Sequence, residues 1–258
     1  PLHLSNKVLK DLEVKKIKKS IDSDLKNRLK TECSVLKDNE ILYLNKSVWS
    51  SSVIESIKNY AEKNKIDLIV IGTHGRSQLS KMLLGSVAEK IIKYTSVPVI
   101  TIKKDIISME NNKSISCILA AHDLSANSTE AIKTASKLSD LFISAFHVIH
   151  VIPEVPNTYL SSYGLMSEDS EELKVEIFFK TIHSKFRSLV ISKISDRQKL
   201  KANILTGKPS NKIVEYAKNN NVDLIVIGGR GHGKADEHLL GSTADRVIRK
   251  AQCPVLVV

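Results

Sequence analysis

The sequence predicts an α/β protein of two tandem domains, each a five-stranded, mostly parallel sheet flanked by helices, with the first domain incomplete. Three observations carry that prediction. Short apolar runs alternate with helix-period stretches, the pattern of right-handed βαβ units. The block Asp67–Ile102 aligns without a gap on Asp223–Val258, an offset of 223 − 67 = 156 residues, which is a domain duplication and not a solenoid period. One glycine pattern also recurs at that offset: Gly72-x-x-Gly75, nine residues, then Gly85-Ser86, and again Gly228-x-x-Gly231, nine residues, then Gly241-Ser242.

In the first half, Lys7–Lys37 carries apolar residues at helical spacing (Val8, Leu12, Ile17, Ile21, Leu25, Leu29), and Tyr43 and Trp49 flank a strand as packing residues. Ile57, Tyr60, Ala61 and Asn64 then match Ile213, Tyr216, Ala217 and Asn220 of the second half. The strand Asp67–Ile71, the glycine loop, a helix ending near Pro98 and the strand Val97–Ile102 follow. The polar stretch Lys103–Ser114 reads as a linker. This gives a first domain over 1–102, a linker over 103–114 and a second domain over 115–258.

The second half reads as five strands alternating with helices. Ile115–Ala121 is a buried strand, Ser125–Asp140 a helix with apolar Ala131, Ile132, Ala135 and Leu138, and Leu141–Ile152 a second strand. A long helix covers Glu168–Ile194, a third strand Leu200–Leu205, and a helix Ser210–Asn220 that Pro209 can start. Val222–Ile227 and Cys253–Val258 are the last strands. Subtracting the offset from Ile115 gives 115 − 156 = −41, so the first domain's opening strand, helix and second strand are expected ahead of Pro1, in a chain of about 300 residues. The strands ending each repeat, Val97–Ile102 and Cys253–Val258, would be apolar edges that seek pairing. Pairing between the two halves is expected to satisfy them as an intramolecular pseudo-dimer, which leaves further dimerisation of whole chains open.

Composition narrows the function classes. The 258 residues can bury two cores, and 42% hydrophobic with 26% charged residues is a globular balance. No apolar run approaches the ~20 residues of a membrane span, so no membrane partner is expected. Cys33, Cys117 and Cys253 show neither disulfide nor metal spacing, which fits a cytoplasmic location. The net charge of +11 raises nucleic-acid binding. Much of that charge lies in Lys7–Lys37, where a solvated helix face explains it, and no basic patch is interleaved with aromatics. Nucleic acid is therefore not an expected partner.

A strand followed by a glycine loop and a helix start presents free N–H groups to an anion, usually a phosphate. Glycine permits the positive φ and close approach such a loop needs. In an open parallel sheet the ligand sits beyond the carboxyl ends of strands where the order reverses, here the first and fourth strands of the repeat, bringing Asp123 toward Gly228.

With these residues in place, the chain resembles the universal stress protein family in its tandem, two-domain form. Its nucleotide-binding members carry G-x2-G-x9-G-[S/T] after the fourth strand. The resemblance covers nearly all of 31–258, most closely in Ile71-Gly-Thr-His-Gly-Arg-Ser77 and Leu83-Leu-Gly-Ser-Val-Ala-Glu-Lys90. It implies a Rossmann-like, adenine-nucleotide-hydrolase-like fold and ATP or a related adenine nucleotide as ligand, with Mg2+ as an accompanying ion. It further implies a role in stress response, dimerisation through the last strands, and no settled reaction beyond slow ATP hydrolysis. By the same resemblance the phosphates fall on Gly231, Gly241, Ser242 and Thr243, the ribose on Gly228, and the nucleoside on Asp123. The adenine falls against backbone from His147 to Ile149, centred on Val148. In the first half the equivalents are Gly72, Gly75, Gly85, Ser86 and Val87.

One departure is electrostatic: the second loop holds Asp236 and Glu237, which repel a triphosphate unless they point away or hold a metal, while Arg230 and Lys234 compensate. A nucleotide-free interaction scaffold of the same fold is the alternative. Other motifs are weaker. Gly228–Lys234 nearly spells a P-loop, but Ala235 replaces the hydroxyl residue that would hold Mg2+. His147 and His150 sit at an odd strand spacing and point to opposite faces. His122 reads as a hydrogen-bonded strand-end residue, and Ser125 as a helix cap and not a nucleophile. Cys117 and Cys253 read as inert core thiols, and Ser242 has the bland alternative of a simple N-cap.

Overall fold

The computed structural model describes residues 52–73, 84–103, 114–153, 171–193, 200–229 and 240–258, with isolated helical positions Lys16, Lys19, Ser20 and Ser23. The predicted helix over Lys7–Lys37, the strand between Tyr43 and Trp49, and most of the linker lie outside the described residues. Pro1–Ser56 form one compact unit and Ile57–Val258 another. The second unit holds every described strand.

In chain order the elements are α1 (Val53–Lys63), β1 (Ile69–Gly72), α2 (Ser86–Tyr94), β2 (Val99–Ile102), β3 (Cys117–His122), α3 (Ala126–Phe142), β4 (Ala145–Ile152), α4 (Glu171–Lys193), β5 (Leu200–Thr206), α5 (Pro209–Asn219), β6 (Leu224–Ile227), α6 (Ser242–Lys250) and β7 (Val255–Val257). The strands form one seven-stranded sheet in the order β1-β2-β7-β6-β3-β4-β5. Each pair is parallel except β2 and β7, which run antiparallel with Ile100 opposite Leu256. The strands that close the two repeats therefore satisfy each other, and the two sheets expected from the sequence are continuous.

β3 and β6 are buried at every position and, apart from His122 at the end of β3, apolar, as strands covered on both faces must be. On one face Ile118, Ala120, Val148 and Val226 pack with Ala131, Ile132 and Ala135 of α3 and with Phe186 and Val190 of α4. Ala131 and Ala135 let α3 approach the sheet closely. α5 and α6 pack on one another, burying Ile213, Ala217, Val247 and Ile248.

One boundary differs from the sequence expectation. Leu141 and Phe142 belong to α3, and β4 starts only at Ala145. The helix stops on Ile143, whose φ of 53° is left-handed. Ile143 N–H donates to Asp140 O, Ser144 N–H to Ser139 O, and the Ser139 hydroxyl to Ser144 O. A β-branched residue seldom takes this conformation, so no glycine announced the stop. The apolar triplet read as strand is the exposed end of the helix, Leu141 at 71% and Ile143 at 78%.

Candidate functional site

β3 and β6 are neighbours, with Ala121 opposite Ile227, so their carboxyl ends open side by side. The β3–α3–β4 crossover leads one way along the sheet and the β5–α5–β6 crossover returns past it. The order reverses between β3 and β6, where an open sheet leaves a crevice.

The loop leaving β3 is bound to itself. Asp123 Oδ1 accepts from Ser125 N–H at 3.0 Å, and Asp123 N–H donates to the Ser128 hydroxyl at 3.3 Å. Leu124 between them has φ 69°, a conformation L-residues avoid. Ser125 caps α3, its hydroxyl accepting from Ser128 N–H at 3.2 Å, as expected. The Asp123 residue is exposed at the strand end.

Across from it, Gly228 is buried, and the reason is packing: a Cβ there would meet Ser128 N at 3.0 Å and Asn127 C at 3.1 Å. The first turn of α3 lies against this glycine, so Gly228 sets how closely the Asp123 loop approaches β6. Gly229 N–H donates to Val258 O, and Gly229 O accepts from Gly241 N–H at 2.8 Å. Gly241 is the N-cap of α6, with φ −59° and ψ 139° and no side-chain cap. Ser242 is the first helical residue, which excludes the reading of it as an N-cap. Gly241 thus spends its amide on a protein carbonyl. The first-turn amides of Ser242 and Thr243 have no partner among the described residues.

The first repeat reproduces the arrangement. Thr73 takes the place of Gly229, and its carbonyl accepts from Gly85 N–H at 2.7 Å. Gly85 caps α2 at φ −60° and ψ 141°, leading into Ser86 and Val87, both exposed. Gly72 ends β1 and is exposed. Gly75, Arg230 and Gly231 lie outside the described residues, as do Lys234, Asp236 and Glu237.

Val148 lies inside β4 and not at its end. It is fully buried and paired with Ala120 on one side and Ala202 on the other, so its backbone is consumed by the sheet. β4 continues to Ile152, whereas its ladder with β3 ends at His122 opposite His150. Val151 is the first β4 residue past that ladder, level with the start of the Asp123 loop. The repeated His-Val-Ile/His-Val-Ile-Pro texture of this strand hides which valine lies at the end.

The histidines divide between the two faces as their spacing predicts. His150 stacks near Phe186 of α4 at 6.0 Å, and its Nδ1–H donates to His122 O at 2.8 Å. His147 faces α5, edge-on to Tyr216 at 5.8 Å. Burial raises the Cys117 thiol and lifts Cys253 to about 12, so neither is primed as a nucleophile. Among the described residues no group of three or more His, Cys, Asp or Glu could hold a metal ion.

Known proteins are similar to this chain throughout. The model of the universal stress protein family matches residues 11–103 and again 116–258. Universal stress protein MJ0531 of Methanocaldococcus jannaschii is 35% identical over 143 residues, covering 55% of this chain and 80% of that protein. Universal stress protein Slr1230 of Synechocystis is 25% identical over 195 residues, and the match takes in 75% of this chain and 58% of the relative. Among solved structures, a universal stress protein from Archaeoglobus fulgidus aligns with TM-score 0.55 and 26% identity over 79% of this chain and 65% of that one. One from Pseudomonas aeruginosa aligns with TM-score 0.65 and 18% identity, over 90% of this chain and 77% of the other, a likeness of fold.

Proposed function

Since this chain belongs to the universal stress protein family and carries its pattern in tandem, we propose that it binds ATP or a related adenine nucleotide as a regulatory ligand in stress response. The observation that carries this reading is the juxtaposition at the β3–β6 crevice: the exposed Asp123 at one strand end, and beside the other a helix start whose Ser242 and Thr243 amides have no partner among the described residues. Such a helix start favours an anion by about 0.3–1 kcal/mol, up to ~2 when partly buried. In this reading Ser242 and Thr243 hold phosphate through amide and hydroxyl, and Gly241 and Gly231 keep that approach free of side chains. Asp123 takes the ribose hydroxyls, with Gly228 fixing the floor, and Arg230 offsets the loop acids. The adenine lies against Val151. Ser86 and Val87, with Gly72, Gly75 and Gly85, form the corresponding site of the first repeat. Mg2+ would sit on the phosphates; with no base positioned beside a nucleophile among the described residues, the hydrolysis we propose is at most slow.

Equilibrium titration with a fluorescent ATP analogue tests the reading: saturable binding below millimolar concentration is expected, and Gly241→Val should weaken it about tenfold or more. Absence of saturation at millimolar nucleotide ends it.

A second reading, a nucleotide-free interaction scaffold, is favoured by one observation: both capping glycines already give their amides to Thr73 and Gly229 carbonyls. It predicts protein that emerges free of nucleotide after preparation in ATP and Mg2+, read by mass spectrometry of the denatured supernatant. We also place the protein in the cytoplasm, on Cys117 and Cys253, which are free among the described residues, and divide it into repeats over 1–102 and 115–258 joined by 103–114. The intramolecular β2–β7 pairing removes the need for a homodimer through those strands.

A further inference from the structure

His122 ends β3 at 4% exposure, and each polar atom of its ring is engaged. Nδ1 accepts from Leu124 N–H at 3.1 Å, and Nε2 lies 3.3 Å from the Thr129 hydroxyl. The Thr129 hydroxyl donates onward to Ser125 O at 2.9 Å. This chain of bonds has one consistent protonation: a neutral imidazole with its hydrogen on Nε2, leaving the Nδ1 lone pair for Leu124. Two further contacts hold the residue. The His122 carbonyl accepts from His150 of β4, and Phe186 of α4 lies 6.4 Å from the ring centroid.

Leu124 is the residue in need of such support. Its φ of 69° is disfavoured by its own Cβ, and a strained residue persists only where its surroundings over-determine it. The same turn brings Ser125 N–H onto Asp123 Oδ1 and leaves Asp123 exposed at the crevice. We infer that His122 is a positioning residue: its Nδ1 holds Leu124 in the left-handed turn that orients the Asp123 carboxylate toward the nucleoside. This rests on the nucleotide reading above and adds to it a residue that touches no ligand. Its action is one-sided, through Nδ1; the Nε2 contact serves only to fix the tautomer.

Two substitutions separate the ring's atoms. In His122→Asn the side-chain oxygen falls where Nδ1 was and can still accept from Leu124. In His122→Gln the amide falls at the Nε2 position and cannot. With the fluorescent ATP analogue, Asn should bind within about threefold of the parent, and Gln should bind about tenfold more weakly, the scale of one lost hydrogen bond. Adding Leu124→Gly to His122→Gln should restore affinity, because glycine takes the turn unaided. The Leu124 amide, followed by NMR hydrogen exchange without nucleotide, should exchange faster in Gln and not in Asn. Equal affinity of Asn and Gln, or failure of Leu124→Gly to restore binding, overturns the proposal. A parent that binds no nucleotide sinks the functional reading instead, while Leu124 exchange unchanged in Gln refutes the His122 brace by itself.

Discussion

His147 shows how burial sets the chemistry of a single side chain here. It is 4% exposed, its Nδ1 is 3.3 Å from the Tyr216 hydroxyl, and that hydroxyl accepts from Asn203 Nδ2 at 2.9 Å. Burial first, and then the Lys201 charge, hold the imidazole below its ordinary range of about 6.5. The folded state thus binds the proton less readily than the unfolded state, so the contribution of His147 to stability is complete above the unfolded pKa. It is lost as pH falls below about 6.5 toward the lower folded value. Thermal melts should show a flat midpoint from pH 8 to 7 and a decline below 6.5 that is shallower in His147→Leu. Equal slopes in parent and variant would rule His147 out as the cause. The opposite facing of His147 and His150 is legible from strand alternation. The partnership with Tyr216 is not, because a contact 69 positions apart in the chain leaves no local mark.

Elements meet at the glycines. The sequence identifies Gly228 as a loop residue reserved for a ligand, whereas the structure gives it a second duty, as the flat spot against which the first turn of α3 rests. Gly228→Ala should therefore act on stability. The new methyl would press on backbone at Ser128 and Asn127, where no side chain can swing aside, and overpacking of this kind costs roughly 1–3 kcal/mol. Chemical denaturation with and without nucleotide would measure it; a loss of affinity at unchanged stability would return Gly228 to a ligand-only role. The helices around these glycines are readable because apolar spacing and Pro209 mark them. Two features escape for stereochemical reasons. The helix stop at Ile143 uses a conformation that its residue type disfavours. The capping role at α6 passes to Gly241, which has no side chain to advertise it, and leaves Ser242 one step inside.

At the scale of the whole molecule, the two repeats are joined by more than the β2–β7 ladder. Lys103, just past β2, donates from Nζ to Arg249 O at 2.6 Å and Ala251 O at 2.8 Å, closing the carboxyl end of α6. Thr101 donates its hydroxyl to Val255 O, and Arg249 reaches Glu89 of α2 at 3.7 Å. A cation on the last carbonyls of a helix is favoured by the dipole and by charge-assisted bonds. Lys103→Met should lower global stability by about 1–2 kcal/mol, shifting the melting midpoint by about 2–4 °C per kcal/mol. A midpoint that does not move would mean the ladder alone joins the repeats. This joining is legible in outline, since matching apolar edge strands with no cover must pair. Its polar fasteners are not, because Lys103 sits in a stretch whose composition reads only as linker.

The reversal at β2–β7 also gives the chain two heads. Strands of one repeat emerge at the rim where strands of the other begin, so Gly72 and Ile227 mark opposite ends of a shared plank. Two nucleotides bound there would never meet, nor would one partner grasping a single rim sense both. Any conversation between the ends would have to pass through the central strands, which makes the few bonds crossing the join the place to listen for it.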